Sequence, residues 1–397
     1  MLGSISCNTQ RGAQVKTDPV LTSSFQQQYL DGAAQYKLLA KNLPPDKFPK
    51  TYFPQTGKHE FSGSEWWCSG FYPGTLLYLY EKTGDTELYN EAMRIMKLLE
   101  KEKHNTRTHD LGFMMYCSFG NAARIAPKPE YRDILLTSAR SLATRFDPNV
   151  GLIRSWDSKA NDYVVIIDNM MNLKLLFWAT QVSGDSSFYK IATTHADNTI
   201  THHFRPDNSS YHVINYHPQT GAVQKKHTAQ GAADESAWAR GQAWGLYGYT
   251  ETYRETKNPR YLDQAVKIAN FLLSHPNLPE DKIPYWDFNA PGIPNALRDA
   301  SAAAIMASAL LELSGYVDGK TSKDYLEVAE TIIRNLSRQP YKAAIGANGG
   351  FILQHSVGHK PANSEVDVPL TYADYYFVEA MMRYHQLAAQ NGSVRKK

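Results

Sequence analysis

Apolar positions along this chain recur at spacings of three and four, and no stretch sustains the alternation of a dominant sheet, so the sequence reads as helix after helix. Two kinds of helical segment alternate. Segments near 65–83, 112–126, 168–183, 237–256 and 300–315 carry Gly, Ala, Met and aromatic residues on several faces, the composition of helices enclosed on most sides. Each is followed by a segment with one apolar stripe, such as Ala92-Met93-Arg94-Ile95-Met96-Lys97-Leu98-Leu99, which suits an outer layer.

A weak motif marks the start of the outer segments. It reads Gly84-Asp85-Thr86-Glu87-Leu88-Tyr89 leading to Ala92, then Gly184-Asp185-Ser186-Ser187-Phe188-Tyr189 leading to Ala192. Asn258-Pro259-Arg260-Tyr261 leads to Ala265, Lys323-Asp324-Tyr325 leads to Ala329, and Pro129-Glu130-Tyr131-Arg132 is a degenerate copy. Each supplies turn residues, a helix N-terminus, then an aromatic and a small residue facing inward. Further helices near 23–42 and 372–389 bring the number to about twelve, or six inner–outer pairs. Six pairs can close into an (α/α)6 toroid, an all-α fold; the competing arrangement is an open solenoid. The toroid predicts one catalytic domain over 21–390, with a leader at 1–20 and a tail at 391–397. Long connections at 43–64, 104–111, 147–167, 204–236, 276–299 and 340–371 would gather at the ends of this scaffold, where sites are built.

Composition narrows the function classes. With 42 basic and 39 acidic residues the net charge is +3, too balanced for a broad nucleic-acid surface. Cys7, Cys68 and Cys117, odd in number and without CxxC spacing, build neither a disulfide framework nor a zinc site. No apolar run is long enough to span a membrane. The N-terminus lacks the apolar stretch of a signal peptide; Ser4-Ile5-Ser6-Cys7 is read first as a disordered leader with a chance Cys and second as similar to the end of a lipoprotein signal, so the compartment is open, with a periplasmic or other extracytoplasmic one favoured over a cytoplasmic one. Twenty-five Tyr and seven Trp provide flat faces with a polar handle, as sugar-binding clefts do.

Polar residues open the inner helices: His109-Asp110-Leu111-Gly112-Phe113, Ile166-Ile167-Asp168-Asn169-Met170-Met171-Asn172, Trp238-Ala239-Arg240-Gly241-Gln242-Ala243-Trp244 and Leu297-Arg298-Asp299-Ala300-Ser301. An Asp at a helix start is most often an N-cap, worth about 1 kcal/mol. Asp110 and Asp168 stand out because both would face one shared cavity, and Val165-Ile166-Ile167 and Met170-Met171 surround Asp168 with apolar groups. Two carboxyl groups in one cleft are the minimal equipment for acid–base chemistry on a sugar. A helix N-terminus favours the anion, whereas burial beside a second carboxylate favours the acid. Trp156, Trp238, Trp244, Tyr211 and the Trp66-Trp67 pair could stack on pyranose rings. Arg240 lies near a helix start, ill placed for the helix dipole, and is expected to meet an anion or a carboxylate. His109, His212 and His227 are candidate hydrogen-bond donors. His202-His203 does not chelate as a helical pair, and Gly346-Ala347-Asn348-Gly349-Gly350 is a turn rather than a phosphate loop.

These motifs, with Asp374-Tyr375-Tyr376-Phe377-Val378-Glu379-Ala380, resemble in order those of the unsaturated glucuronyl hydrolases, glycoside hydrolase family 88, from about Trp66 to Arg383. The resemblance implies the (α/α)6 fold and no metal or organic cofactor. It implies removal of the 4,5-unsaturated uronic acid that polysaccharide lyases leave at a non-reducing end, by hydration of the C4=C5 enol ether. Asp168 would protonate C4 and activate the water that adds to C5, and Asp110 would support the positive charge. His109, Trp156, Asn169, His212, Gln230, Trp238, Arg240 and Trp244 would line the uronate pocket. The partner is an unsaturated oligosaccharide, with the protein a monomer or weak homo-oligomer. Two positions depart from the family pattern. Ala229-Gln230 stands where relatives place His-Gln, with His227 two residues further back. The loop His355-Ser356-Val357-Gly358-His359-Lys360 keeps a Lys but not the Ser residues of relatives that take sulfated disaccharides, so substrate preference stays open and Lys360 either contacts a sulfate or is solvated. An unsaturated rhamnogalacturonyl hydrolase is the nearest alternative, disfavoured by Gly241-Gln242. An inverting glycosidase for saturated substrates and a non-catalytic binding toroid are further ones.

Overall fold

The computed structural model describes residues 17–159 and 161–394. The expected leader through residue 16, with Cys7, and residues 395–397 of the expected tail lie outside the described residues. The first helix, Pro19–Asn42, begins within the segment assigned to the leader, with Pro in its first turn and Asp18 accepting from the Val20 and Leu21 amides.

The alternation of helix types reflects two layers. The inner helices are Phe71–Thr83, Gly112–Gly120 continuing as Asn121–Ile125, Ile167–Asn172 continuing as Leu173–Ser183, Ala239–Thr256, Ala300–Leu313 and Thr371–Val394. Each packs on the next, and Thr371–Val394 packs back on Phe71–Thr83, so the ring closes and the open solenoid is excluded. The fold is the (α/α)6 toroid. Pro19–Asn42, Thr86–Leu99, Pro129–Ala143, Ser186–His203, Pro259–Ser274 and Gly319–Leu336 form the outer layer. Burial explains the sequence pattern. Ala300–Leu313 is buried on every face except at Glu312, whereas Thr86–Leu99 buries only the stripe Leu88, Ala92, Ile95, Met96 and Leu99. Asp85, Asp185 and Asn258 cap the outer helices that follow them.

The long connections hold more order than their sequences suggest. Phe48–Phe53 pairs with Lys58–Ser62, Phe146–Asp147 with Leu152–Ile153, and Ser356–His359 with Ser364–Val368. Tyr163–Ile166, Val213–Tyr216 and Val223–His227 make a three-stranded antiparallel sheet. These strands have at most six residues and pair across long loops, so they leave no period-2 signature to read. They form the rim around the N-terminal ends of the inner helices. No described helix is long and apolar enough to cross a membrane.

Candidate active site

At the rim end of the ring, the helix-opening aspartates divide by what their carboxyl groups do. Asp299 is a true N-cap, accepting from the Ser301 amide at 3.0 Å. Asp110 and Asp168 cap nothing. The Ile167–Asn172 turn starts without a side-chain cap, as does Gly112–Gly120. Their carboxyl groups are therefore available to the cavity.

Asp168 is held by its backbone neighbours. The Ile166 amide donates to Ser155 Oγ at 3.0 Å and the Ile167 amide to the His212 carbonyl at 3.1 Å. Val165 and Ile167 are wholly buried, and Asp168 is buried with them. This burial pushes the Asp168 carboxyl up to about 7; the Arg240 cation pulls the other way, the Asp110 charge adds to the rise, and the Trp244 N–H favours the anion. Its Oδ2 is sealed from solvent and has no hydrogen-bond partner among the described residues. The nearest basic atom is His212 Nε2, at 3.7 Å.

The tautomer of His212 follows from its other nitrogen. Nδ1 accepts from the backbone amides of Ala229 and Gln230, both at 3.2 Å, so the ring proton resides on Nε2 and points at Asp168. Burial, reinforced by Arg240, holds the ring neutral. Gln242 fixes the preceding segment, accepting from the Ser210 amide at 2.7 Å and donating to its carbonyl at 3.1 Å. Trp238 lies against the His212 ring at 4.4 Å, and Trp156 presents an edge at 6.0 Å.

Asp110 has a different environment. Thr108 Oγ1 donates to its Oδ2 at 3.0 Å, and its Oδ1 lies 3.2 Å from His109 Nε2. His109 Nδ1 meets the Ser155 carbonyl at 2.9 Å, and a carbonyl only accepts, so Nδ1 carries a proton. In the neutral ring Nε2 is then an acceptor, and it has no hydrogen-bond partner among the described residues. Burial lowers the His109 pKa while Asp110 raises it. Ser155 thus supports both the Asp110 and the Asp168 segments, its carbonyl serving His109 and its hydroxyl serving Ile166.

Of the remaining expected residues, some reach the cavity and some do not. Arg240 is buried between Trp238 and Tyr372, with its guanidinium 4.6 and 5.2 Å from their ring centres. The anion it meets is Asp299, at 3.3 Å, and it also donates to the Val357 and Gly358 carbonyls. Trp244 is wholly buried against Phe113 and Tyr376, so it offers no face for stacking, and only its unpaired N–H bears on the site. Trp156, 38% exposed, is the open aromatic platform. Asn169 donates to the Ile153 carbonyl at 2.8 Å, and its Oδ1 has no hydrogen-bond partner among the described residues. Gln230 contributes its amide to His212, and Lys360 sits half-buried in the turn between Ser356–His359 and Ser364–Val368, with no ion pair. His227 is drawn away by Asn215 Oδ1 at 2.7 Å, while His359 Nε2 reaches the Ala229 carbonyl at 2.8 Å, beside the position where relatives carry a His. The carboxylate expected for Arg240 is thus Asp299, whereas sequence reasoning missed Ser155 and Glu365. Burial pushes Glu365 up to about 7 near Arg240 and Lys50.

Known proteins resemble this chain over most of its length. The profile of Glycosyl Hydrolase Family 88 matches residues 46–389. An unsaturated glucuronyl hydrolase of Formosa agariphila is 49% identical over 324 residues, covering 81% of this chain and 80% of the relative. One from Bacillus sp. (strain GL1) is 33% identical, covering 87% of this chain and 93% of the relative. The crystal structure of an unsaturated glucuronyl hydrolase specific for heparin superposes with a TM-score of 0.88 at 43% identity, over 94% of this chain and 98% of the other. The chain belongs to glycosyl hydrolase family 88.

Proposed function

We propose that this enzyme removes the 4,5-unsaturated uronic acid from the non-reducing end of lyase-generated oligosaccharides, with Asp168 as proton donor. The observation that carries this reading is the Asp168 carboxyl, buried, raised to about 7 and with an oxygen left without a partner. An enol ether is nucleophilic at carbon, so one neutral acid placed against C4 is enough to start the reaction. The proton passes from Asp168 to C4, and positive charge spreads over C5 and the ring oxygen. The resulting carboxylate accepts a proton from water as its oxygen bonds to C5, which restores the acid. The hemiketal opens at the ring oxygen, and the exposed C1 hemiacetal releases the remaining sugar as an alcohol. His212 Nε2–H faces the Asp168 carboxyl at 3.7 Å, and Asp110 stands near the developing cation. Trp156 offers its face to a ring of the saccharide, and Arg240 supplies the positive field that draws the uronate.

Likeness to the heparin-specific structure makes unsaturated glycosaminoglycan disaccharides the first substrates to try. The protein is incubated with heparin, chondroitin, ulvan and pectin lyase products while the ultraviolet absorbance of the conjugated enol ether is followed. Wild type should remove the absorbance from at least one of them and Asp168→Asn should not. Absorbance that persists with every substrate would refute the reading.

A further inference from the structure

The hairpin beside Arg240, Ser356–His359 paired with Ser364–Val368, holds a backbone that its residues disfavour. Asn363, Glu365 and Asp367 have φ of 52°, 54° and 55°. Left-handed backbone is costly for a residue with a Cβ and persists where the surroundings impose it. Here the opposite strand imposes it: a Cβ on Gly358 would meet Glu365 Cβ at 2.6 Å, so the two strands close directly over this side chain. The Gly358 carbonyl in turn accepts from Arg240 at 2.7 Å.

Glu365 forms no hydrogen bond or ion pair with the described residues, and its oxygens stay accessible although most of the side chain is covered. The groups facing it come from every neighbouring element: Lys50 and Glu60 from the first hairpin, Cys68 from the turn before Phe71–Thr83, Arg240, and Tyr372 from the last inner helix. Arg240 also feels Asp168, and Cys68 also feels Asp110. Through Arg240 and Cys68, Glu365 shares charged neighbours with Asp168 and Asp110.

We propose that Glu365 is a specificity residue of the cleft that must be protonated for an anionic saccharide to bind, and so controls affinity rather than bond chemistry. This rests on the uronate-binding reading above. Ionised, Glu365 would cancel the field of Arg240 and repel the uronate. Neutral, it leaves that field to the substrate and adds an O–H donor. Burial sets its midpoint at about 7, against the pull of Lys50 and Arg240. Its neighbours keep their charge states near neutrality. Desolvation opposes the charge on Lys50, but Glu60, at 2.5 Å, and Glu365 hold its pKa up, while burial keeps Cys68 and Tyr372 protonated.

The test uses the Asp168→Asn protein, which binds without turnover and lacks the Asp168 titration. Affinity for an unsaturated glucuronyl disaccharide is read from tryptophan fluorescence between about pH 6 and pH 9, a range in which burial keeps His109 and His212 neutral. Kd should rise about tenfold per pH unit above the Glu365 midpoint, and should be flat when Glu365→Gln is added. Lys50→Met should move the midpoint upward, because the cation that favours ionised Glu365 is gone. A flat profile in Asp168→Asn, a rise that survives Glu365→Gln, or a midpoint unmoved by Lys50→Met overturns the proposal. None of these readings depends on turnover, so they stand apart from a failure of the hydration reaction itself.

Discussion

A carboxyl group that ionises near 3.8 in an unfolded chain and near 7 in the fold makes folding harder over the interval between those values. For Asp168 the sign is unfavourable on the alkaline side. Below about pH 4 both states hold the proton and nothing is lost, whereas above about pH 7 the fold carries a penalty on the order of 4 kcal/mol. Asp168→Asn should therefore raise the melting temperature at about pH 8 and leave it unchanged near pH 4. The same substitution should lower kcat by about 10²- to 10⁴-fold, since it removes the general acid. In wild type, activity limited by proton donation should fall as pH rises through about 7. An equal melting shift at both pH values would mean that burial of the Asp168 charge is not what the fold pays for. The sequence made this residue visible because Val165, Ile166 and Ile167 lead directly to it. Glu365 was hidden by the opposite circumstance. It sits in the alternating Ser364-Glu365-Val366-Asp367-Val368 with no apolar run leading to it, and its burial comes from a strand across the hairpin and from helices far away in the chain.

At the scale of elements, helices were legible and the rim was not. A helix of twelve or more residues repeats its pattern several times within itself, so the inner and outer layers could be told apart before any contact was known. A strand such as Tyr163–Ile166 finds its partner in Val213–Tyr216, and nothing local announces that pairing. Helices buried all round pose a further difficulty, because their patterns do not distinguish the cleft from the core. Trp244 and Trp156 look equivalent in sequence, yet one is sealed against Phe113 and the other stands open at the mouth. The contact between the two catalytic segments is equally silent. A Cβ at Gly112 would meet Asn172 Cα at 2.5 Å and Oδ1 at 2.7 Å, and that same oxygen accepts from the Phe113 amide at 3.0 Å. Gly112→Ala would wedge the segment bearing Asp110 away from the one bearing Asp168. It should destabilise by about 1–3 kcal/mol and also cut kcat at least tenfold in the molecules that remain folded. A melt lowered without a loss of kcat would show that the spacing of the two segments is not critical.

At the scale of the whole molecule, the two ends of the ring serve different purposes. The mouth leaves buried polar atoms unpaired, among them Asp168 Oδ2, His212 Nε2 and Trp244 Nε1, which suits a place where substrate must enter. At the far end, where the inner helices finish, ion pairs surround a pocket lined by Tyr78, Tyr247, Glu379 and Arg383. Arg254 reaches Glu312 at 2.8 Å and also Glu251 and Glu255; Arg383 reaches Glu312 at 2.6 Å; and Glu379 accepts from Tyr78 and Tyr247 at 3.1 and 3.0 Å. These partners come from the helices Phe71–Thr83, Ala239–Thr256, Ala300–Leu313 and Thr371–Val394, so the network ties the last helix of the ring to the first. Burial would raise the Glu312 carboxyl, yet Arg383 and Arg254 hold it down at about 2. The pH dependence is thus opposite to that of Asp168: this stabilisation is present above the ordinary carboxylate range and is lost as pH falls toward 2. Arg383→Met should cost about 3–5 kcal/mol near neutrality, because it strips a buried carboxylate of a partner. The deficit should shrink in acid, as Glu312 takes up a proton and no longer needs the cation. No group at the mouth is touched, so kcat/KM per folded molecule should stay at the wild-type value. Thermal melts from about pH 3 to pH 8, with activity normalised to folded protein, check both parts. A deficit that is constant with pH would mean that Arg383 acts through packing alone, and a loss of activity in the folded fraction would mean that the two ends of the ring are not separable.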